Sequence, residues 1–191
     1  MAFPTESFYG LGVDATNTDA VKNLFQIKNR DYNLPILILI SSLRDLPCYV
    51  AYIPSRAKRL GKKFWPGGIT MVFQSSPAVS SLLTSSTGKI GIRISSHPIA
   101  YALSKTLHAP ITATSANISG VPPCIKANQV LECFNNAIDL ILDGGETQGK
   151  YPSTILDVTN DPPKIIRKGI VKVEEIIKSG IYKKIVESSN C

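Results

Sequence analysis

The chain has 191 residues, of which 43% are hydrophobic and 18% are charged, and its formal net charge is +7. This length suits one sizeable domain with its own core, and the composition excludes a disordered chain. No apolar run approaches the roughly 18 residues of a membrane-spanning helix, and the N-terminus lacks the basic and apolar regions of a signal peptide. We therefore expect a protein of the cytoplasm that does not enter a membrane.

The four cysteines lie far apart and form no C-x-x-C pair. This spacing argues against a zinc site and against a disulfide framework. We expect all four to be reduced thiols: Cys48, Cys124, Cys133 and Cys191.

The positive charge is concentrated in one part of the chain. No Asp or Glu occurs from Leu46 to Leu131, whereas nine Lys and Arg residues do. A field of one sign over such a length favours an anionic partner, either nucleotide phosphates or nucleic acid. A solvated basic surface is the alternative.

Helix and strand patterns alternate along the first half of the chain. TDAVKNLFQIK predicts a helix with Val21, Leu24 and Phe25 on one stripe and Asn17 or Thr18 as its N-cap. PILILI is apolar on both faces, as in a strand that is covered on both sides. PSRAKRLGKKF predicts a basic helix, and ITMVF and GKIGIRI predict strands.

The second half continues in the same way. HPIAYALSKTLHAP, ANQVLECF and KVEEIIKSG predict helices, and PITAT, AIDLILDGG, STILDV and PKIIRKG predict strands. This alternation favours one α/β domain over residues 1–180, with a mixed sheet flanked by helices. Residues 181–191 are expected to form a loosely held C-terminal tail.

Arg93 is the first candidate for a ligand-binding side chain. In the strand GKIGIRI it shares a face with Gly91, opposite Ile90, Ile92 and Ile94. An arginine on the second face of an interior strand needs an anion or a carboxylate as partner, and the glycine permits close approach of a ligand. A solvated arginine on an edge strand is the alternative.

Lys28 and Arg30, in the stretch IKNR, are the next candidates. Lys28 lies in the last turn of the predicted helix on its inward stripe, and Arg30 lies just past the helix end. Two cations at this spacing are suited to binding a polyphosphate. Lysine is also common at helix C-termini because it complements the helix dipole, so the pattern alone leaves both interpretations open.

The stretch ITATSAN places short polar side chains where an apolar strand ends. Ser115 and Asn117 follow the strand at its carboxyl end. Open α/β sheets bind ligands beyond the carboxyl ends of their strands, where hydroxyls and an amide can hydrogen-bond phosphate, ribose or an amino acid. An Asx or Ser/Thr turn leading into Ser119–Gly120 is the alternative.

Several familiar catalytic motifs do not occur in the sequence. It contains no Walker A, no G-x-G-x-x-G and no G-x-S-x-G motif. The acid-free span also offers no carboxylate as a general base. A reaction centred there must depend on positioning and charge neutralisation, as phosphoryl and nucleotidyl transfer do.

Seven motifs, from about Phe3 to about Gly169, occur in the order and spacing of one protein family. They are FPTESFYGLG, IKNR, FWPGGITMVF, GKIGIRISSHPIA, TATSANISGVPP, LILDGGETQGKYPSTILDV and IIRKG. Together they resemble the YrdC-like threonylcarbamoyl-AMP synthases, in their short single-domain form. The resemblance implies an α/β domain with a twisted, largely parallel mixed sheet around a concave, positive cavity.

The resemblance also implies an activity. Such enzymes are nucleotidyltransferases that combine L-threonine, bicarbonate and ATP into threonylcarbamoyl-adenylate and release pyrophosphate. The product feeds the t6A modification of tRNA, for which the short form depends on separate tRNA-modifying partner proteins. We expect Mg²⁺ to arrive with ATP, and we expect no resident metal and no tightly bound cofactor.

The site residues implied by the resemblance fall on specific positions of this chain. The K-x-R…S-x-N signature falls on Lys28, Arg30, Ser115 and Asn117, which are the expected catalytic residues. The expected ATP-binding residues are Arg30, Ser115, Asn117 and Arg167, and the expected threonine-binding residues are Thr5, Ser7, Arg93, Ala113 and Ser153.

Two other functions stay open at this point. The acid-free basic span, with PSRAKRLGKK at its centre, is also typical of a module that binds tRNA or double-stranded RNA. A sibling enzyme that handles a carbamoyl-adenylate would carry similar motifs. RNA affinity that falls as the salt concentration rises would indicate the RNA-binding module. A preference for carbamoyl phosphate over threonine would indicate the sibling enzyme.

Overall fold

The computed structural model describes residues 1–187, apart from the side chain of Asn136. In this range the helices are α1 Thr18–Lys28, α2 Leu46–Tyr49, α3 Ser55–Phe64, α4 Ser81–Thr84, α5 Pro98–Thr106, α6 Ala127–Phe134 and α7 Val173–Lys178. The strands are β1 Ala2–Pro4, β2 Tyr9–Leu11, β3 Leu37–Leu39, β4 Ile69–Gln74, β5 Lys89–Arg93, β6 Ile111–Ser115, β7 Thr154–Asp157, β8 Lys164–Arg167 and β9 Val186–Glu187.

All nine strands belong to one sheet in the order β1-β2-β6-β3-β5-β4-β7-β8-β9. The expected mixed sheet is confirmed, but the expectation that it is largely parallel is wrong. Among the described residues, β3–β5, β4–β7 and β8–β9 are the parallel pairs, and the other five pairs are antiparallel. A parallel pair needs a crossover of about a dozen residues or more, whereas β7 and β8 are joined by a short turn.

The helix α1 begins and ends as the sequence predicts. The side chain of Asn17 accepts hydrogen bonds from the backbone N–H groups of Asp19 and Ala20 at its start. At its end Asn29 adopts a left-handed conformation with φ of 48°. The backbone N–H of Arg30 then donates to the carbonyl of Phe25 at 2.9 Å, which turns the chain sharply after Lys28.

The two faces of the sheet are covered differently. The main core lies on one face and includes Ile38, Ile92 and Met71, with α1 and α3 packed over it. A small second core of five residues lies on the other face beneath α5: Phe3, Leu39, Ala100, Ile111 and Ala113. Because the second core is small, part of this face is left open beside it.

One predicted strand is not formed. In AIDLILDGG, Ile141 makes an isolated bridge to Ala2, and Leu140 and Leu142 exchange backbone hydrogen bonds with Ala2 at 2.8 and 2.9 Å. Within residues 1–187 no pairing of this segment with β1 continues past Leu142, and the next residue, Asp143, accepts a hydrogen bond from the Tyr9 hydroxyl. The segment is therefore a short extended contact along β1 and not a strand.

The expectation of a loose tail from residue 181 is also wrong for residues 181–187. Tyr182 and Ile185 are buried in the main core, and β9 pairs with β8. The guanidinium of Arg56 lies over the Tyr182 ring, 5.8 Å from its centre. Tyrosine burial and this cation–π contact hold the segment in place. Residues 188–191, with the rest of the predicted tail, lie outside the described residues.

Two further expectations can be compared with the described residues. Cys48, Cys124 and Cys133 are free thiols, as predicted, and Cys191 lies outside the described range. Over residues 1–187 no helix combines the length and the apolar character needed to cross a membrane.

Candidate active site

A cavity of about 450 Å³ opens on the face of the sheet that carries the small core. Its floor is built from alternate residues of neighbouring strands, because every second side chain of a strand points to the same face. Leu37 of β3, Gly91 and Arg93 of β5, and Thr70 and Val72 of β4 lie on this floor. The intervening residues Ile90, Ile92 and Met71 are in the main core. The predicted faces of GKIGIRI are thus confirmed.

Most of the predicted site residues meet at this cavity. Eight of the ten line it: Thr5, Ser7, Arg30, Arg93, Ala113, Ser115, Ser153 and Arg167. Lys28 and Asn117 do not line it and lie directly behind Ser115. The residues come from six separate parts of the chain, so the sheet topology brings them together.

Lys28 is almost wholly buried, with 1% of its surface exposed. Its ammonium donates to the backbone carbonyls of Ser115 and Asn117, both at 2.6 Å, and to Asn117 Oδ1 at 3.2 Å. Burial, helped by the positive charge of Arg30, lowers the pKa of Lys28 to about 8. In this structure the three N–H groups of Lys28 join the end of α1 to the loop after β6.

The same loop orients Ser115 at the cavity. The Ser115 hydroxyl donates to Asn117 Oδ1 at 2.6 Å, and Asn117 Nδ2 donates to the Val121 carbonyl at 2.6 Å. The Asn117 side chain thus bonds to Ser115, Lys28 and Val121, and not to a backbone N–H two residues on as in an Asx turn. Ser115 lies at the cavity, as the ligand interpretation of ITATSAN predicted.

Arg30 lies at the same end of the cavity, half-buried. Its Nη2 donates to the Pro35 carbonyl at 2.9 Å and its Nε lies 3.4 Å from the Leu34 carbonyl. These contacts hold the guanidinium at the cavity edge. Burial lowers the pKa of Arg30, but the group stays cationic over the physiological range.

Arg93 is buried at the other end of β5, with 4% of its surface exposed. Its Nη1 lies 3.3 Å from Glu6 Oε1, and the Ser95 hydroxyl donates to the other carboxylate oxygen of Glu6. Arg93 Nε and Glu6 Oε1 have no hydrogen-bond partner among the described residues. Because Arg93 also lines the cavity, its guanidinium is a candidate partner for an anionic ligand group there.

A group of hydroxyls surrounds this end of the cavity. Thr5 Oγ1 lies 3.1 Å from Ser7 Oγ, and Ser153 Oγ lies 3.1 Å from Thr70 Oγ1. Arg167 Nη2 donates to the carbonyl and to the hydroxyl of Ser153, at 3.0 and 3.1 Å. Burial and the nearby charge of Arg93 lower the pKa of Arg167 to about 10.

Three charged residues at the site were not predicted. Glu6 lies between the predicted Thr5 and Ser7, but nothing in the sequence connects it with Arg93. Lys89 and Asp157 also line the cavity, joined by a hydrogen bond of 2.8 Å. The alternation of GKIGIRI could have identified Lys89, because it shares the face of Gly91 and Arg93.

The described residues do not offer a cage for a resident metal ion. No group of three His, Cys, Asp or Glu side chains among them is placed to hold one. The Glu6 carboxylate is engaged by Arg93 and Ser95, and that of Asp157 by Lys89 and Thr159. The residues present therefore do not fit a Mg²⁺ ion bound by the protein alone, and such an ion would need phosphate oxygens and water as ligands.

Comparison with known sequences gives consistent matches. Residues 1–169 match the Sua5/YciO/YrdC family model, described as "Telomere recombination". The threonylcarbamoyl-AMP synthase of Pyrococcus abyssi is 41% identical over 178 residues, covering 93% of this chain and 52% of that protein. The threonylcarbamoyl-AMP synthase of Bacillus subtilis is 39% identical over 177 residues, with coverage of 92% and 51%. The chain thus spans about half the length of these curated relatives.

Solved structures agree with the sequence matches. P. abyssi Sua5 complexed with L-threonine has a TM-score of 0.94 to this chain at 40% identity, covering 98% of this chain and 54% of that one. Escherichia coli YciO has a TM-score of 0.82 at 28% identity, with coverage of 91% and 84%. The expected α/β fold is confirmed, and with the match over residues 1–169 these findings show that the chain belongs to the Sua5/YciO/YrdC family.

Proposed function

We propose that this chain makes L-threonylcarbamoyl-adenylate from L-threonine, bicarbonate and ATP, with release of pyrophosphate, for the t6A modification of tRNA. One observation carries the proposal: a single cavity has a buried arginine with an unpaired N–H among hydroxyls at one end, and cations beside a serine loop at the other. Relatives named threonylcarbamoyl-AMP synthase support it.

The end with Arg93 is suited to an amino acid. The guanidinium of Arg93 is suited to a carboxylate, and the hydroxyls of Thr5, Ser7 and Ser153 are suited to polar groups of a small substrate. Ala113 adds a small apolar wall that suits the threonine methyl group. P. abyssi Sua5 has been solved with L-threonine bound, which supports threonine as the amino acid here.

The end with Arg30 and Ser115 is suited to the nucleotide. Arg30 supplies fixed positive charge for phosphate oxygens, and Ser115 is held at the edge by the loop that Lys28 anchors. Arg167, the other expected ATP-binding residue, lies at the Arg93 end and donates to Ser153. In this proposal Mg²⁺ arrives with ATP and neutralises part of the phosphate charge.

The reaction divides into two bond-forming steps. The amine of threonine, in its neutral form, attacks the bicarbonate carbon, loses a proton and forms a carbamate with release of water. A carbamate oxygen then attacks the α-phosphorus of ATP, and the bond to the bridging oxygen breaks as pyrophosphate leaves. The contribution of the chain is to hold both substrates and to stabilise the negative charge that develops on pyrophosphate.

Release of pyrophosphate tests this proposal. Purified protein is incubated with ATP and bicarbonate, with and without L-threonine. We expect release that depends on threonine, and we expect Lys28→Ala to abolish it because the Ser115 loop loses its anchor. Lys22→Ala, on the exposed side of α1, is the matched control and should keep the activity. The proposal would be contradicted if no pyrophosphate is released, or if its release does not depend on threonine.

The same assay separates the synthase from a carbamoyl-adenylate enzyme. Carbamoyl phosphate replaces threonine and bicarbonate in a parallel reaction. We expect no nucleotide turnover in that reaction. Turnover with carbamoyl phosphate in preference to threonine would favour the sibling enzyme.

RNA binding is a second candidate with an observation of its own. The helix α3 exposes Arg59, Lys62 and Lys63 and packs over the main core, on the face of the sheet away from the cavity. A basic surface there could contact tRNA or double-stranded RNA without blocking the cavity. RNA affinity that falls steeply as the salt concentration rises would support this role, and affinity that does not change with salt concentration would contradict it.

Within the proposal, the enzyme works in the cytoplasm with separate tRNA-modifying partner proteins.

A further inference from the structure

Lys89 is a cavity residue to which neither the family signature nor the predicted site assigns a role. It is the first residue of β5, it lines the cavity, and 31% of its side chain is exposed. Its ammonium donates to Asp157 Oδ2 and to Thr159 Oγ1, both at 2.8 Å. A protonated lysine has three N–H donors, so one donor is left for a ligand.

Asp157 is arranged to hold Lys89 and not to repel an anion. Its Oδ2 accepts from Lys89, and its Oδ1 accepts from the backbone N–H and the hydroxyl of Thr159, at 2.9 and 2.6 Å. These three hydrogen bonds from protein groups offset the negative charge of the buried carboxylate. The pair thus presents the ammonium, and not the carboxylate, as the group able to bind a ligand.

The strand register places Lys89 at the same end of the cavity as Arg30 and Ser115. The parallel pairing of Ile38 with Ile92, continued three residues back, sets Lys89 level with Pro35, whose carbonyl accepts from Arg30. The antiparallel pairing of Leu37 with Ala113, continued two residues along, sets Ser115 at that level too. Arg93 lies four residues further along β5, roughly 13 Å away at the usual strand rise.

The charged side chains that line the cavity are mostly cations, which favours a polyanionic ligand. The lining cations are Arg30, Lys89, Arg93 and Arg167, and the lining carboxylate in the described part of the chain is Asp157. An ion pair with a purely structural role would not need a place in a cavity with this excess of positive charge. Phosphate oxygens of a nucleotide are the ligand chemistry that matches a fixed ammonium beside an arginine.

We propose that Lys89 is a further nucleotide-binding residue, which donates to the triphosphate oxygens of ATP while Asp157 and Thr159 hold its ammonium in place. This inference rests on the proposed function and names one more contact for its nucleotide. Lys89 acts by binding and not by proton transfer, and the amino acid end of the cavity does not depend on it.

The test is a calorimetric titration of the full chain with ATP, AMP and L-threonine. We expect Lys89→Met to weaken ATP binding about tenfold, the loss of one charged contact, and to leave threonine binding unchanged. AMP binding should change by less than about threefold, because AMP lacks the β- and γ-phosphates. Lys89→Arg should restore most of the ATP affinity.

Asp157→Asn distinguishes a ligand contact from a structural ion pair. If Lys89 binds phosphate, this variant keeps or strengthens ATP binding, because the ammonium no longer shares its charge with a carboxylate. Lys22→Met, which breaks an exposed ion pair with Asp19 on α1, is the matched control and should bind ATP as the wild type does. Thermal unfolding of each variant shows whether it is folded.

Two results would overturn the inference. One is ATP binding by a folded Lys89→Met variant that equals the wild type, and the other is an equal loss of ATP affinity in Lys89→Met and Asp157→Asn. Both leave the proposed function intact, because they concern one contact. Wild-type protein that binds no ATP would instead contradict the proposed function itself.

Discussion

Lys28 carries a buried positive charge whose partners are all on one loop. Carbonyl oxygens of Ser115 and Asn117 and the amide oxygen of Asn117 surround the ammonium. Such oxygens compensate for part of the desolvation, but the folded protein still holds the proton less tightly than an unfolded chain does. Stability near this residue should therefore depend on pH.

The pH dependence has a definite sign. The pKa of Lys28 is about 8 in the folded protein and 10.5 in the reference state, so between these values the unfolded chain binds more protons. The unfolding free energy then rises with pH through this window. We expect the wild type to gain roughly 1–3 kcal/mol relative to Lys28→Met between about pH 7 and about pH 10, measured by denaturant titration.

The matched control for this prediction is Lys22→Met on the exposed side of the same helix. Lys22 is half-exposed and pairs with Asp19 at 3.4 Å, so its replacement should give the same difference at both pH values. A difference between wild type and Lys28→Met that stays constant across the window would contradict a lowered pKa for Lys28.

Individual residues also show which features of the site the sequence can predict and which it cannot. Strand alternation was enough to place Arg93 and Gly91 on the cavity face, because it is a local property of the backbone. The pairing of Arg93 with Glu6 depends on two segments almost ninety residues apart, which no local pattern reports. Lys28 was placed correctly on the inward stripe of α1, but its oxygen partners depend on how α1 docks against β6.

At the scale of elements, the site depends on close contacts between segments that follow strands. Gly169, just after β8, packs against the backbone that precedes β7. A Cβ atom there would overlap the Pro152 carbonyl oxygen and lie 2.6 Å from the carbonyl carbon of Ser153. The same segment carries Ser153, whose hydroxyl and carbonyl bind Arg167.

Gly169→Ala should therefore affect both stability and the site. We expect a loss of about 1–3 kcal/mol in unfolding free energy from overpacking, and weaker threonine binding because Ser153 must shift. Thermal unfolding and calorimetry measure the two effects. Gly10→Ala, where the new Cβ meets its neighbours at an ordinary 3.5 Å, is the stability control. A Gly169→Ala variant as stable as Gly10→Ala would contradict the close contact.

Elements with strong local signals were predicted well, and those that depend on their neighbours were not. The cap at Asn17 and the apolar stripe of α1 follow from side-chain chemistry and helix period. AIDLILDGG has the composition of a strand, yet its pairing with β1 is limited to the contacts around Ala2. Local sequence patterns also could not predict whether neighbouring strands run parallel or antiparallel, because this depends on which strands become neighbours.

At the scale of the whole molecule, the sheet order explains how distant motifs form one cavity. The strands β6, β3, β5, β4 and β7 are neighbours in the sheet although they are far apart in the chain. Their cavity-facing residues include Arg93 at one end and Lys89 and Ser115 at the other, where Arg30 joins them from the loop after α1. In the proposed function, the separation along β5 places the amino acid and the nucleotide side by side in the same cavity.

The packed unit also extends further along the chain than the sequence indicated. Tyr182 and Ile185 complete the main core, and β9 covers the outer side of β8. The segment IYKKIVE contains three charged residues among its apolar ones, so its composition alone did not predict burial. The contact between Arg56 and Tyr182 joins it to α3, which is distant in sequence.

The central claim is that one cavity binds an amino acid and a nucleotide together. Calorimetric titration with L-threonine, in the absence and in the presence of ATP, tests it most directly. We predict one threonine site per chain, with binding that persists or strengthens when ATP is present. Threonine binding that is absent, or that ATP abolishes by competition, would contradict the account.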